Sequence, residues 1–323
     1  MEAITEFLQP LFGNVVNLDW KMVVMWVIGF VLIYLAIKKD MEPTLLLPMG
    51  FGAILVNLPM SGVVDQIYDG VKEIGVIDLL FNSGIANELF PLLLFIGIGA
   101  MIDFGPLLSN PKLMLFGAAA QFGIFFTLSM AALFGFDLKD AASIAIIGAA
   151  DGPTSIFVAN YFESNYLGAI IVAAYSYMAL VPIVQPPVIK LLTTKKERLI
   201  RMPYEQKEVT KTTRILFPII VTMIVGVVAP RALALIGFLM FGNLIRECGV
   251  LNSLSETAQK VLANLITLLL GITIAARMQA EAFLNPQTLL ILALVLSHLF
   301  STPQAACCLR NSSICSSKQK SIR

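Results

Sequence analysis

Apolar residues in this chain gather in long blocks rather than on one face of a helix or in strict alternation. The blocks are 22–37, 113–136, 167–192, 215–229 and 261–276. Several approach the ~20 residues that a helix needs to cross a hydrocarbon core about 30 Å thick. Backbone exposed to lipid must satisfy its own hydrogen bonds, and no alternation of the barrel kind is present, so helices are the predicted spanning elements. The expected fold class is all-α, a polytopic helical membrane protein.

Polar punctuation within the blocks refines this. Residues 41–60 are apolar but carry Pro43, Pro48, Gly50, Gly52 and Pro59, which predicts a broken or re-entrant segment. Residues 141–162 read as two short apolar runs hinged at Asp151-Gly152-Pro153-Thr154. Proline removes a donor and glycine adds freedom, so a continuous helix is not expected there, and backbone groups freed at that depth must line protein or water.

An internal repeat is also suggested. Gly97-Ile98-Gly99-Ala100-Met101-Ile102-Asp103-Phe104-Gly105-Pro106-Leu107 resembles Met240-Phe241-Gly242-Asn243-Leu244-Ile245-Arg246-Glu247-Cys248-Gly249-Val250. Ion-coupled transporters are often built from inverted repeats with sites at broken helices. The expected organisation is a membrane domain over 1–300: a first repeat at about 40–192, a basic loop at 193–214 and an incomplete second repeat at 215–300.

Composition supports the membrane reading. Hydrophobic residues make up 58% and charged residues 13%, too few polar groups to cover a water-facing globule. Net charge is only +1, but Lys195, Lys196, Arg198, Arg201, Lys207, Lys211 and Arg214 crowd the loop 193–214, which the positive-inside rule places in the cytoplasm of an inner-membrane, multi-pass chain. These residues are topology anchors or a docking patch for a soluble partner. Residues 1–19 lack a basic stretch, so a cleavable signal peptide is not expected. Cys248, Cys307, Cys308, Cys315 and His298 assemble no zinc, haem or Cys/His nucleophile site. No nucleotide motif is present, and no nucleic-acid partner is expected.

Asp151 is the leading chemical candidate. A carboxylate inside an apolar block costs a few kcal/mol and implies a counter-ion, a proton or a water-filled pathway. No lysine or arginine lies between Lys139 and Lys190. A monovalent cation held by Asp151, the carbonyls of Ala149 and Ala150, and the hydroxyls of Thr154 and Ser155 accounts for the cluster; the alternative is a solvated turn. Tyr175 and Tyr177 follow one block later, either as cation- or proton-linked phenols or as packing aromatics. Asp103 suits a helix cap at the membrane edge as well as a pathway acid. Asn57, Gln121, Asn160, Gln185 and Asn264 are expected to join helices by hydrogen bonds.

Four stretches carry a family resemblance. They are Glu42-Pro43-Thr44-Leu45-Leu46-Leu47-Pro48-Met49-Gly50-Phe51-Gly52, Gly99-Ala100-Met101-Ile102-Asp103-Phe104-Gly105-Pro106-Leu107-Leu108, Ile147-Gly148-Ala149-Ala150-Asp151-Gly152-Pro153-Thr154 and Ala173-Ala174-Tyr175-Ser176-Tyr177-Met178-Ala179-Leu180-Val181-Pro182. In order, over about 33–298, they resemble the beta subunit of the sodium-translocating biotin-dependent decarboxylases, which act on oxaloacetate, methylmalonyl-CoA or glutaconyl-CoA. The resemblance implies that this subunit decarboxylates carboxybiotin, takes up a proton and exports Na+. It implies catalytic roles for Asp151 and Tyr177, a Na+ pathway through Asp103, Asp151, Gly152, Pro153, Thr154, Ser155, Tyr175 and Tyr177, and Na+ bound at Asp151 and Thr154. Biotin belongs to a partner, since no Met-Lys-Met site occurs here. The implied partners are an alpha subunit (carboxyltransferase and biotin carrier), a small gamma membrane subunit, lipid and further beta copies. On residue physics alone, a stand-alone Na+-coupled secondary transporter fits equally.

The departure lies at 301–323, which is polar, cysteine-rich and unlike the preceding chain. Family members continue with further membrane segments. A shifted frame, with codons fitted to Pro303–Arg323, gives Ala-Gly-Gly-Val-Leu-Leu-Ala-Lys and resembles that continuation. The tail is therefore expected to be out of frame and disordered, leaving a truncated subunit that is inactive for want of its second half-site. The gene's nucleotide sequence decides this, because the idea fails if no family-like continuation lies in another frame.

Overall fold

The computed structural model describes residues 17–40, 42–68, 70–111, 114–149, 151–199, 209–286, 288–291 and 293–294. The expectations for 301–323, Ala150 and residues 200–208 of the basic loop fall outside these residues. In chain order the helices begin with α1 (Trp20–Lys39) and α2 (Pro43–Val56), followed by a hairpin of β1 (Gln66–Tyr68) and β2 (Val71–Glu73). Next come α3 (Val76–Leu80), a π-helical segment (Phe81–Ala86), α4 (Leu89–Met101), α5 (Gly105–Ser109) and α6 (Met114–Leu133). A broken stretch follows: α7 (Leu138–Ile146), a 3-10 turn (Ile147–Ala149) and α8 (Gly152–Tyr161). The remainder is α9 (Leu167–Leu192), α10 (Lys195–Arg198), α11 (Lys211–Val228), α12 (Leu233–Cys248), α13 (Asn252–Glu256), a second π segment (Thr257–Leu262), α14 (Ala263–Ile274), a 3-10 turn (Ala275–Arg277) and α15 (Ala280–Phe283).

The protein is an all-α membrane protein. Among the described residues, three helical runs are long and apolar enough to cross a membrane, or up to four if the bent pair Val76–Ala86 and Leu89–Met101 counts as one. The two-stranded hairpin is the exception to the all-helical expectation. Gly70 takes φ 80° at its turn, and Lys72 Nζ lies 2.9 Å from Asp65.

The chain forms two compact units, 1–91 with 264–290 and 92–263 with 291–323. In the first, α1 and α2 cross at Gly29 and Gly50, where a methyl group on either would lie 2.7 Å from the other's carbonyl oxygen. Glycine permits this approach. The break expected over 41–60 falls at its end, since Pro43–Val56 is one helix with Pro48 inside it. At ~21 Å it is too short to span. It stops at Asn57, which is 3% exposed. The Asn57 amide donates to Ala53 O at 2.7 Å and Met278 O at 2.8 Å, and its oxygen accepts from Ala280 N at 2.7 Å. Every polar group of that side chain is satisfied, as burial requires.

In the second unit, α4 and α12 meet through the two stretches of the suggested repeat. A side chain at Gly99 would collide with the Leu239 carbonyl, and one at Gly242 with the Ile96 carbonyl. In the sequence alignment Gly99 pairs with Gly242 and Ile96 with Leu239, so the contact is reciprocal. Asn243, 1% exposed, and Arg246 donate to Ile102 O and Met101 O, both at 2.9 Å, and thereby cap the carbonyls that end α4.

Candidate functional site: a membrane hairpin with a carboxylate at its tip

α7, the 3-10 turn and α8 form a hairpin. Asp140, in the first turn of α7, accepts hydrogen bonds from Ser164 Oγ and Asn165 N, just beyond α8. Phe136 and Tyr166, on the two loops at the same end, make an edge-on contact at 5.4 Å. The chain therefore goes in along α7 and comes back along α8. Nine helical residues and a three-residue 3-10 turn reach ~20 Å, too short to cross a ~30 Å core.

Asp151 occupies the tip. Ile147–Ala149 tighten into a 3-10 turn, Asp151 is extended (φ −124°, ψ 99°), and α8 starts at Gly152-Pro153. Proline at this position suits a helix start, where its missing N–H costs nothing. The Asp151 carboxylate caps the helix: Oδ1 accepts from Thr154 N at 3.2 Å and Oδ2 from the Thr154 hydroxyl, while its main-chain carbonyl accepts from Ser155 Oγ at 2.8 Å. Thr154 and Ser155 are thus drawn onto Asp151, as the sequence suggested, but as hydrogen-bond donors. Gly152, Pro153 and Ser155 are buried and Asp151 is half-buried. Among the described residues no lysine, arginine or histidine pairs with Asp151.

α9 packs on both α8 and the 3-10 turn. Asp151 and Tyr177 are spaced equally on either side of Ser164, at the centre of the α8–α9 connection. Helical rise carries each ~15–20 Å from that connection, and so to similar depth. Tyr177 is 4% exposed. The side chain of Tyr175 lies outside the described part of the structure.

Asp103 is placed differently. Its Oδ1 accepts from Gly105 N at 2.9 Å, at the start of α5, and lies 3.7 Å from Arg214. Arg214 also approaches Glu247 at 3.6 Å. The capping reading therefore describes its bonds, none of which reaches Asp151. Lys211 and Arg214, expected in the basic loop, form the first turn of α11.

Two residues carry weight that sequence reading missed. Asp140 is 4% exposed, yet Asp137-Leu138-Lys139-Asp140 reads as an ordinary solvated helix start. Thr127 is 2% exposed with an unpartnered hydroxyl; it lies with Gly123 and Ala131 on the buried stripe of α6, the helix that packs on α7 and the 3-10 turn. Only the spacing of those three residues could have marked it.

A half-buried carboxylate at a helix break brings together oxygens and no cation. The preceding helix ends in carbonyls without intrahelical partners, and such ends beside an acid are the donor set that transporters offer to Na+ or H+.

Comparison with known proteins bears on the same stretch. The family model for the Na+-transporting oxaloacetate decarboxylase beta subunit matches residues 21–320. The glutaconyl-CoA decarboxylase subunit beta of Acidaminococcus fermentans is 47% identical over 90% of this chain and 75% of its own length. The methylmalonyl-CoA decarboxylase subunit beta of Veillonella parvula is 48% identical over 84% of this chain and 70% of its own length. The probable oxaloacetate decarboxylase beta chain of Vibrio cholerae is 41% identical over 86% and 77%. This chain belongs to the family of beta subunits of Na+-transporting decarboxylases.

Proposed function

We propose that this subunit releases CO2 from carboxybiotin presented by a partner's carrier domain and couples that step to outward movement of Na+. In decarboxylation the N–C bond of carboxybiotin breaks, CO2 leaves and the biotin nitrogen takes up a proton. Na+ is the cargo, held by Asp151, the Thr154 and Ser155 oxygens and the Ala149 carbonyl. Tyr177, at similar depth, serves the proton or the Na+ ion. Gly152, Pro153 and Tyr175 line the same pathway, and Asp103 fixes its inner end through Arg214. The partners are an alpha subunit with carboxyltransferase and biotin, a small gamma membrane subunit and further beta copies.

The observation that carries this reading is the Asp151 carboxylate at the hairpin tip, with hydroxyl and amide donors around it and no basic partner among the described residues. Sidedness follows from the basic loop. With 193–214 in the cytoplasm of the inner membrane, α9, whose 26 residues reach ~39 Å, begins on the outer side. The hairpin then opens outward, the direction in which Na+ leaves and from which a proton can come. The reciprocal contact of Gly99 and Gly242 supports an inverted repeat, the first copy at about 40–192 and a partial second at 215–300.

Vesicles holding this chain with its alpha and gamma partners test the reading. Substrate should drive CO2 release and 22Na+ movement together, and Asp151→Asn should lower both by at least 100-fold. Na+ movement without CO2 release would identify a stand-alone transporter instead.

A further inference from the structure

Asp140 sits at the mouth of the hairpin rather than at its tip, and both of its oxygens are engaged. Oδ1 accepts from Ser164 Oγ at 2.7 Å and Asn165 N at 3.1 Å, and Oδ2 accepts from Asn165 Nδ2 at 3.3 Å. Ser164 Oγ in turn accepts from Tyr166 N at 3.2 Å. No cation pairs with Asp140 among the described residues, although it is almost completely buried. A carboxylate withdrawn from water without a counter-charge is an expensive way to hold a loop together. Its two-oxygen geometry does something that a neutral side chain cannot: it takes a hydroxyl, a main-chain amide and a side-chain amide at once.

We infer that Asp140 is a positioning residue for the Na+ site, a clamp that closes the mouth of the hairpin and so sets the placement of Asp151 at its tip. This rests on the reading of Asp151 as the Na+ ligand. The two legs are short helices joined by a break at 147–151, and neither has the length to span the core and be held by both interfaces. Their relative register depends on how the open end is tied. α7 and α8 pack on each other, but Gly152, Pro153, Ser155, Ile156 and Ala159 on α8 are small or apolar. Such a surface allows close approach and burial but supplies no directional bond between the two legs. The directional bonds lie at the mouth. Sliding α8 by one residue along α7 would move Asp151 by ~1.5 Å, enough to spoil an oxygen cage around a cation. A site must hold its geometry within about 0.5 Å to work, and supporting hydrogen bonds supply that.

The placement predicts that loss of the clamp weakens Na+ binding more than it slows turnover at saturating Na+. In the full complex, Asp140→Ala should raise the Na+ concentration for half-maximal decarboxylation at least tenfold, with the maximal rate within about threefold of wild type. Asp140→Asn should raise it as well, because its amide would face the Asn165 amide, donor against donor. The double variant Asp140→Asn with Asn165→Asp returns a donor–acceptor pair and should bring the half-saturating Na+ back to within about threefold of wild type. A purely structural role would lower the yield of complex without shifting the Na+ response or giving rescue by exchange. Ser164→Ala and Asn165→Ala each remove part of the clamp and should give smaller shifts in the same direction, and they serve if Asp140→Ala does not assemble. An unchanged Na+ response in assembled Asp140→Ala, or in both single-donor variants, overturns the inference, as does failure of the exchange to rescue. Asp151→Asn is run alongside: if it keeps wild-type Na+ dependence, the underlying reading of the site has failed rather than the clamp.

Discussion

Asn57 and Thr127 show how differently two buried polar residues can be treated in one chain. Asn57 makes three hydrogen bonds of 2.7–2.8 Å; replacing it by leucine leaves Met278 O and Ala280 N unpaired. The expected loss is about 3 kcal/mol, seen as a lowered melting temperature in detergent. The Thr127 hydroxyl is buried without a partner, so Thr127→Val, which keeps the shape, should leave the melting temperature unchanged or raise it. A fall of several degrees would mean that the hydroxyl is engaged by water or an ion. At Tyr177, loss of the phenol alone tests the proposed role: Tyr177→Phe should lower turnover at least tenfold in a complex that still assembles. Asp151 was legible in the sequence because an acid in an apolar run beside Gly-Pro contradicts its surroundings. Asp140 was not, because its cost and its compensation lie on segments separated by the whole of α8, and nothing local to Asp137-Leu138-Lys139-Asp140 announces burial.

Helices were mostly legible, and the misses share a cause. The block 167–192 matches α9 residue for residue, and 113–136 and 215–229 differ from α6 and α11 by a few residues at their ends, since a span must be apolar over its whole length. The π segments at Phe81–Ala86 and Thr257–Leu262 leave no such trace, because one extra residue in a turn does not alter composition. Pro48 inside α2 misled for a related reason: proline removes one helix bond, but packing of a short helix outweighs that loss. The α4–α12 crossing yields a test at this scale. Gly99→Leu and Gly242→Leu each drive a side chain into the opposing backbone and should destabilise by about 1–3 kcal/mol. Because each meets the partner of the other, the double variant should cost less than the sum. Additive losses would deny the reciprocal contact. The β1–β2 hairpin carries a pH dependence. Lys72 and the Gly75 N–H hold the Asp65 carboxyl below its ordinary value, and Asp65 raises the Lys72 ammonium. A depressed carboxyl supports the fold above its unfolded pKa and loses that support as pH falls through the folded value; a raised ammonium supports it below its unfolded pKa and loses it as pH rises. Protection of the strand amides should therefore hold between about pH 4 and pH 10 and weaken outside that window.

On the scale of the whole molecule, membrane character and family membership come from different evidence that converges on one place. Apolar blocks say that the chain lives in lipid, and the relatives say that its kin are Na+-transporting decarboxylase beta subunits. The hairpin supplies the physical link, a carboxylate at the tip of two half-length helices, with the Thr154 hydroxyl bonded to it and the Ser155 hydroxyl to the Asp151 main-chain carbonyl. The most direct measurement is equilibrium binding of 22Na+ to the purified complex, wild type against Asp151→Asn. Saturable Na+ binding by the wild type, lost in Asp151→Asn while the complex remains assembled, is the expected result. Equal binding by the two would place the cation elsewhere and contradict the assignment of Asp151.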